Sequence, residues 1–211
     1  MKKFELTNEF VTNMFGTKLF RIRALVEFGD VEAGELGGYV EKESNLGHDD
    51  NAWVYDNAWV YGNARVYGDA QVSGNAWVYG NALVCGNALV YDNAWVYGNA
   101  RVCGDALVCG NARVCSDALV CGNARVCSDE DYAYAHGFGS VNRTTTFFRL
   151  KDGGVGVRCG CFYGTLAQFR DKIRETHGET KKAQEYLMLA DLMELRFEED
   201  ENEVGNRKYV E

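Results

Sequence analysis

Asn57-Ala58-Trp59-Val60-Tyr61-Gly62-Asn63-Ala64-Arg65-Val66-Tyr67-Gly68 says one six-residue phrase twice. The phrase, Gly-Asn-Ala-x-Val-Tyr/Cys, recurs thirteen times without an insertion between Asn51 and Cys127. Alanine returns at every sixth position from Ala52 to Ala124, and valine from Val54 to Val126. A strict short period means one structural unit stacked on copies of itself, each too small to bury its own apolar face. In an extended Ala-x-Val-Tyr segment the side chains alternate between faces, so Ala and Val share one side while x and the Tyr or Cys share the other. The small aliphatic pair is the inside. Gly-Asn turns the corner, because these residues best tolerate left-handed backbone. Asp56, Asp92, Ser116 and Ser128 take the glycine slot, and Asp69, Asp105, Asp117 and Asp129 the asparagine slot. An interior of Ala and Val alone is narrow and suits a triangular coil of three strands and eighteen residues.

Residues eighteen apart then stack on one face, which sorts the outward slots into three columns. The first reads Trp59, Trp77, Trp95, Arg113 beside Tyr61, Tyr79, Tyr97, Cys115. The second runs Trp53, Gln71, Leu89, Leu107, Arg125, and the third alternates Arg65, Leu83, Arg101, Leu119. Only the first is a continuous aromatic wall. It suits a stabilising ladder, a subunit interface or a platform for a flat ligand.

The phrase resembles the hexapeptide-repeat proteins of left-handed parallel β-helix fold over roughly residues 38 to 132. The handedness comes from that resemblance, as does the expectation of a homo-oligomer, a trimer above all, packed through helix faces. The fold expected is mainly β, a left-handed parallel β-helix with an N-terminal β-hairpin cap and a small C-terminal β-hairpin plus two-helix unit. The divisions are 1–50 for cap and lead-in, 51–132 for the β-helix and 133–211 for the C-terminal module with its acidic tail.

In the cap, Phe4 to Val11 and Lys18 to Phe28 read as strands about an Asn13–Thr17 turn. Val40 and Leu46 fall in the later alanine register, so a loop near Gly47 to Asp50 resets the phase. After Cys127 an acid, Glu130, replaces the interior alanine and ends the coil. Gly137 to Ser140 reads as a hinge, Arg143 to Lys151 and Val155 to Phe162 as a hairpin about Asp152-Gly153-Gly154. Thr165 and Gln168 form a capping box for a helix closed by Gly178, and Thr180 caps a second. The acidic Glu198 to Glu203 is expected to be solvated. The phrases Arg143-Thr144-Thr145-Thr146-Phe147-Phe148, Cys159-Gly160-Cys161-Phe162 and Glu175-Thr176-His177-Gly178 resemble a module appended to β-helix repeats in phage and prophage proteins. That resemblance implies a setting among accessory genes where inhibitors of host defence are common, and no assigned activity.

A formal net charge of −9 argues against a general nucleic-acid-binding surface. Yet residues 137–174 carry Arg143, Arg149, Lys151, Arg158, Arg170, Lys172 and Arg174 against Asp152 and Asp171. Arginine forks there suit a phosphate or carboxylate, and Arg143, Arg149 and Arg158 are the candidate ligand-binding residues. No apolar span or signal peptide stands out, so the expectation is a cytoplasmic protein with no membrane partner. Six of the eight cysteines occupy the repeat's Tyr slot, which reads as reduced thiols used as small apolar residues. The three histidines, His48, His136 and His177, lie outside the repeats, and Cys159-Gly160-Cys161 lacks the spacing and second pair of a zinc site. No catalytic residue, cofactor or metal ligand is assigned. The reading is a non-catalytic phage-type binding protein that sequesters a small nucleotide-like anion or blocks a host defence protein. The alternative is an acyltransferase relative drawing on an acyl-thioester donor, with His48 as base.

Overall fold

A computed structural model describes residues 2–139 and 142–198. Three strands open it: β1 (Phe4–Thr12), β2 (Lys18–Ala24) and β3 (Leu36–Val40). Thirteen two-residue strands follow, β4 to β16, each the x-Val pair of one repeat. They stack in parallel into three sheets. One face carries β3 and then the strands Trp59–Val60, Trp77–Val78, Trp95–Val96 and Arg113–Val114. The second carries Trp53–Val54, Gln71–Val72, Leu89–Val90, Leu107–Val108 and Arg125–Val126. The third carries Arg65–Val66, Leu83–Val84, Arg101–Val102 and Leu119–Val120, preceded by a bridge from Leu46 to Val66. The result is a parallel β-solenoid of about five turns.

Every repeat Ala and Val is fully buried. Coils join through the backbone, as in Trp59 N–H to Ala76 O (2.9 Å), Tyr61 N–H to Val78 O (3.0 Å) and Asn63 N–H to Gly80 O (2.7 Å). The corners add a side-chain ladder: the amide of Asn63 donates to Asn81 (3.1 Å), Asn81 to Asn99 (2.9 Å) and Asn99 to Asp117 (2.9 Å). The glycine slot has positive φ, near 70° at Gly62, Gly80 and Gly98. Asp56, Asp92 and Ser116 adopt the same conformation there. Asp56 and Asp92 offset its cost by accepting the N–H of Gly74 and Gly110, each at 3.0 Å. Ser128, assigned to that slot from sequence, instead has φ −143° and caps a short turn at Asp129–Asp131, because the coil has ended.

The lead-in behaves as its phase predicts. Val40 pairs with Val60 and Leu46 bridges Val66, twenty residues apart rather than eighteen, and the two extra residues are absorbed between Gly47 and Ala52. Gly37 and Gly38 leave no room for a Cβ against the carbonyls of Val54 and Ala58, so the first coil closes only on glycine. The second cap strand stops at Ala24, short of Phe28. There Leu25 N–H turns to Lys3 O (2.8 Å), and the chain folds across the coil end to lay Phe28 on Trp53.

Lys3 closes that end. Its ammonium donates to Ala52 O (2.8 Å) and Asp50 O (3.1 Å) and lies over the Phe28 ring. Burial pulls its pKa down to about 8, with Asp50 and Asp49 opposing. A base whose folded pKa is lowered penalises folding fully below that value, and the penalty lifts as pH climbs from about 8 toward 10.5. Stability measured as wild type minus Lys3→Met should therefore move in favour of the wild type between pH 8 and 10, and stay level between pH 6 and 7.5. Urea titrations of both proteins across that range check the sign.

The C-terminal module differs from its sequence reading in two places. Residues 137 and 138 belong to a strand, β17 (Tyr132–Phe138), rather than a hinge, because the pairing that sets Tyr132 opposite Phe148 runs on to set Phe138 opposite Arg143, while the Tyr132 hydroxyl anchors the start by donating to Arg113 O (2.6 Å); Ser140 lies outside the described residues. The returning strand of the hairpin breaks at Gly160 (φ 58°), giving β18 (Arg143–Arg149), β19 (Val155–Cys159) and β20 (Phe162–Thr165) in an antiparallel four-stranded sheet β17-β18-β19-β20. Helices α1 (Leu166–His177) and α2 (Lys181–Phe197) start at the expected caps, Thr165 with Gln168 and Thr180. Glu198 is exposed, and the rest of the acidic run lies outside the described residues. Alternation on β18 serves two cores. Phe148 faces the solenoid interior, and Phe147 packs with Phe169, Tyr186 and Ala190 under the helices.

Candidate functional site

The aromatic wall forms as the columns predict. Trp59, Trp77 and Trp95 stack with centroids 4.9 Å apart and planes within 3°, and Tyr61, Tyr79 and Tyr97 stack at 5.1 Å. The Arg113 guanidinium caps the indole column 4.9 Å from the Trp95 ring. The sequence reading missed the upper cap. Tyr39, in register above Trp59, carries Arg21 over its ring at 5.3 Å. Mutual stacking leaves all six rings half-buried. Burial pushes the Tyr61 hydroxyl up to about 12, so the wall carries no phenolate in the neutral range. Trp53, assigned an outward slot, is instead fully buried. The cap covers it edge-on with Phe4 (6.2 Å) and Phe28 (5.3 Å).

The three candidate arginines part company. Arg149 is taken up by structure, pairing with Asp131 at 3.5 Å and lying over the Phe197 ring at 5.6 Å. Arg158 sits on the β19 face turned to the solenoid, near Cys121. Arg143 stands apart at the start of β18, exposed, with its guanidinium against Gly160.

Arg143 lines a cavity of about 260 Å³ between the sheet tip and the helices. Lys172 and His177 of α1 add basic groups at its edge, Phe162, Phe169 and Tyr186 supply aromatic walls, and Cys159 and Cys161 supply thiols. Helix α1 delivers Lys172, Ile173, Thr176 and His177 to one side because these positions fall three and four apart. The Tyr186 ring fits because position 139 is glycine at φ 76°, where no Cβ has room. His177 stacks on that ring at 5.9 Å, and Lys172 is shared with Glu175 at 2.8 Å. The sequence signal for this pocket was the basic island, and only Arg143 of the three arginines named from it lines the cavity. Lys172 was counted there without a role, and His177 was passed over because its partners come from another helix.

His48 is held as structure. Its ring stacks on Phe4 at 4.5 Å, and Nδ1 accepts the Lys3 N–H at 3.2 Å. A wider groove of about 670 Å³ beside it is lined by Lys42, Asn63, Arg65 and Tyr67. His136 pairs with the Thr144 hydroxyl at 3.0 Å, on the sheet away from the pocket. The expectation of reduced repeat thiols fails for one pair. Cys109 and Cys127 are joined by a disulfide, because slots eighteen residues apart bring their Cα atoms to 4.3 Å.

The fold places the chain among parallel β-solenoid proteins. Four overlapping matches to the YdcK beta solenoid repeat, at residues 58–74, 70–86, 82–98 and 94–110, show that the central coils are similar to that repeat. A comparison with curated proteins finds no match. No helix among the described residues is long and apolar enough to cross a membrane.

Proposed function

We propose that this protein is a non-catalytic binding protein that holds a small anionic, nucleotide-like ligand in the cavity beneath Arg143. The observation that carries this reading is the meeting of Arg143, Lys172 and His177 around an aromatic-walled cavity in a chain of net charge −9. An arginine fork takes a phosphate bidentately, and a flat ring stacks on Phe162 or Tyr186 with a contribution of about 1–3 kcal/mol. At about 260 Å³ the cavity fits a nucleobase or a phosphorylated sugar better than a dinucleotide. Sequestration of a signal nucleotide in a host cell, in the setting that the phage-type resemblance implies, is one use of such a pocket. A trimer packed through the Trp59–Trp77–Trp95 wall would present three of them. The acyl-transfer alternative is disfavoured by His48, whose ring and Nδ1 are engaged by Phe4 and Lys3.

Calorimetry against cyclic and linear nucleotides tests the reading. Arg143→Glu should weaken binding at least tenfold, Arg158→Ala should leave it unchanged, and the recovered ligand should be chemically intact. Absence of heat with every nucleotide, or equal binding by Arg143→Glu, overturns it. Conversion of the ligand would make the protein an enzyme. Sedimentation of the same samples reads the assembly state.

A further inference from the structure

We propose that Cys85, Cys103 and Cys121 form a thiol column that small disulfides of the glutathione class oxidise, closing one disulfide between neighbouring coils. All three occupy the same outward slot of the third face on successive coils. Leu83 pairs with Arg101 and Arg101 with Leu119, which sets each sulfur directly over the next. The second face supplies the precedent. Cys109 and Cys127 hold the same slot with the same eighteen-residue separation, between the same two coils as Cys103 and Cys121, and they are bonded. The register that closes one pair therefore presents a second pair to the same chemistry.

The surroundings assign the roles. Cys85 and Cys103 are half-buried and open to a small reagent, and Cys121 is almost covered by the docked module. The Cys103 thiol hydrogen-bonds to Cys121 and Arg158 lies nearby. Both lower the Cys121 pKa against the effect of burial, while Cys103 is raised chiefly by that same bond. A nucleophile that resolves a mixed disulfide needs no solvent access, only a neighbouring sulfur.

In the first step the Cys103 thiol loses its proton to water and attacks one sulfur of the reagent R–S–S–R. A protein–S–S–R bond forms and one R–S⁻ leaves. In the second, the Cys121 thiolate attacks the Cys103 sulfur, forming Cys103–Cys121 and expelling the second R–S⁻. The two R–S⁻ take up the two protons, so two protein thiols are oxidised and one small disulfide becomes two small thiols. Because the column holds three sulfurs, one thiol always remains beside the bond. Cys85 can attack Cys103 and release Cys121, which moves the bond up one coil without a further oxidant. The bond thus has two positions, one reaching the coil that carries the module and one not.

The experiment treats the full-length protein with oxidised glutathione, blocks remaining thiols with iodoacetamide and locates them by peptide mass mapping. The wild type should lose two alkylation sites among Cys85, Cys103 and Cys121 and carry no retained glutathione on the column. Cys121→Ser, which leaves only Cys85 to resolve a mixed disulfide on Cys103, should slow closure at least tenfold, and the double variant Cys85→Ser with Cys121→Ser should trap glutathione on Cys103. Arg158→Ala should slow closure severalfold. Serine already stands in this outward slot at Ser73, so the variant is compatible with the coil, and circular dichroism confirms it. Full alkylation of all three cysteines after treatment, or oxidation confined to Cys159 and Cys161, overturns the proposal. So does equally fast closure in Cys121→Ser and wild type.

Discussion

Trp53→Ala should cost about 3–5 kcal/mol, the range for deleting a fully buried large aromatic. Trp77→Ala, in the same repeat slot four phrases on and on the first face, should cost only about 1–2 kcal/mol, the worth of two aromatic stacking contacts. The two residues belong to the same repeat slot, and sequence alone ranks them together. The difference lies in what covers them. Trp53 is sealed by Phe4 and Phe28, and its loss leaves a void between cap and coil that the glycines at 37 and 38 cannot relax to fill, their backbone already lying against the second coil. Trp77 lies between two indoles with one side open, so its removal lets water in and leaves no cavity. Urea unfolding of the two variants decides the matter through the midpoint at unchanged slope. Equal losses would mean that the cap does not seat on Trp53.

The second large effect is expected inside the coil. Val78→Asp places a carboxylate at a fully buried position whose shell is alanine and valine from three faces. The backbone groups there are already committed to the coil ladder, as in Tyr61 N–H to Val78 O and Tyr79 N–H to Val96 O, both 3.0 Å. With no partner in reach, the charge must be neutralised or the coil opened. A loss of at least about 4 kcal/mol follows, enough to unfold a protein of ordinary stability. Trp77→Asp, the adjacent residue facing out, should fold. Val78→Ile, which only overfills the interior, should cost about 1–3 kcal/mol. Circular dichroism melts of the three variants give the order. A stable Val78→Asp would mean that the inside and outside of the repeat have been exchanged.

The solenoid was legible in the sequence because its rule is local: a two-residue period inside a six-residue one fixes both the face and the stacking partner. The same rule made the aromatic column readable down to its Arg113 cap. Tyr39 was missed because its pairing with Trp59 spans twenty residues, and the two-residue surplus hides it from an eighteen-residue register. Trp53 was misplaced for a related reason, since its cover comes from Phe4 and Phe28, outside the repeat. The module's helices were found from their capping residues. Its β17 was not, since Tyr132–Phe138 carries glycine and histidine in place of a strand's usual apolar alternation and is held by pairing with β18. The pocket could be read only as surplus charge. Which of Arg143, Arg149 and Arg158 line it depends on the pleat of a sheet and on a partner, Asp131, contributed by the end of the coil.

The last coil hands its open edge to the module: Leu119 N–H donates to the Thr146 hydroxyl (3.0 Å), Lys151 N–H to Asn123 O (3.0 Å), and Ala124 bridges Leu150. Since the module is keyed to that edge, the solenoid acts as a screw thread between the two ends of the molecule. Adding or deleting one phrase advances the thread by a third of a turn. It would swing the Arg143 pocket through about 120° relative to the N-terminal cap while changing the length by less than 2 Å. Three phrases at once lengthen the rod by about 4.8 Å and restore the original bearing. Repeat number in this architecture is therefore a setting of angle before it is a setting of length. Only changes in multiples of three phrases keep pocket and cap in their present alignment.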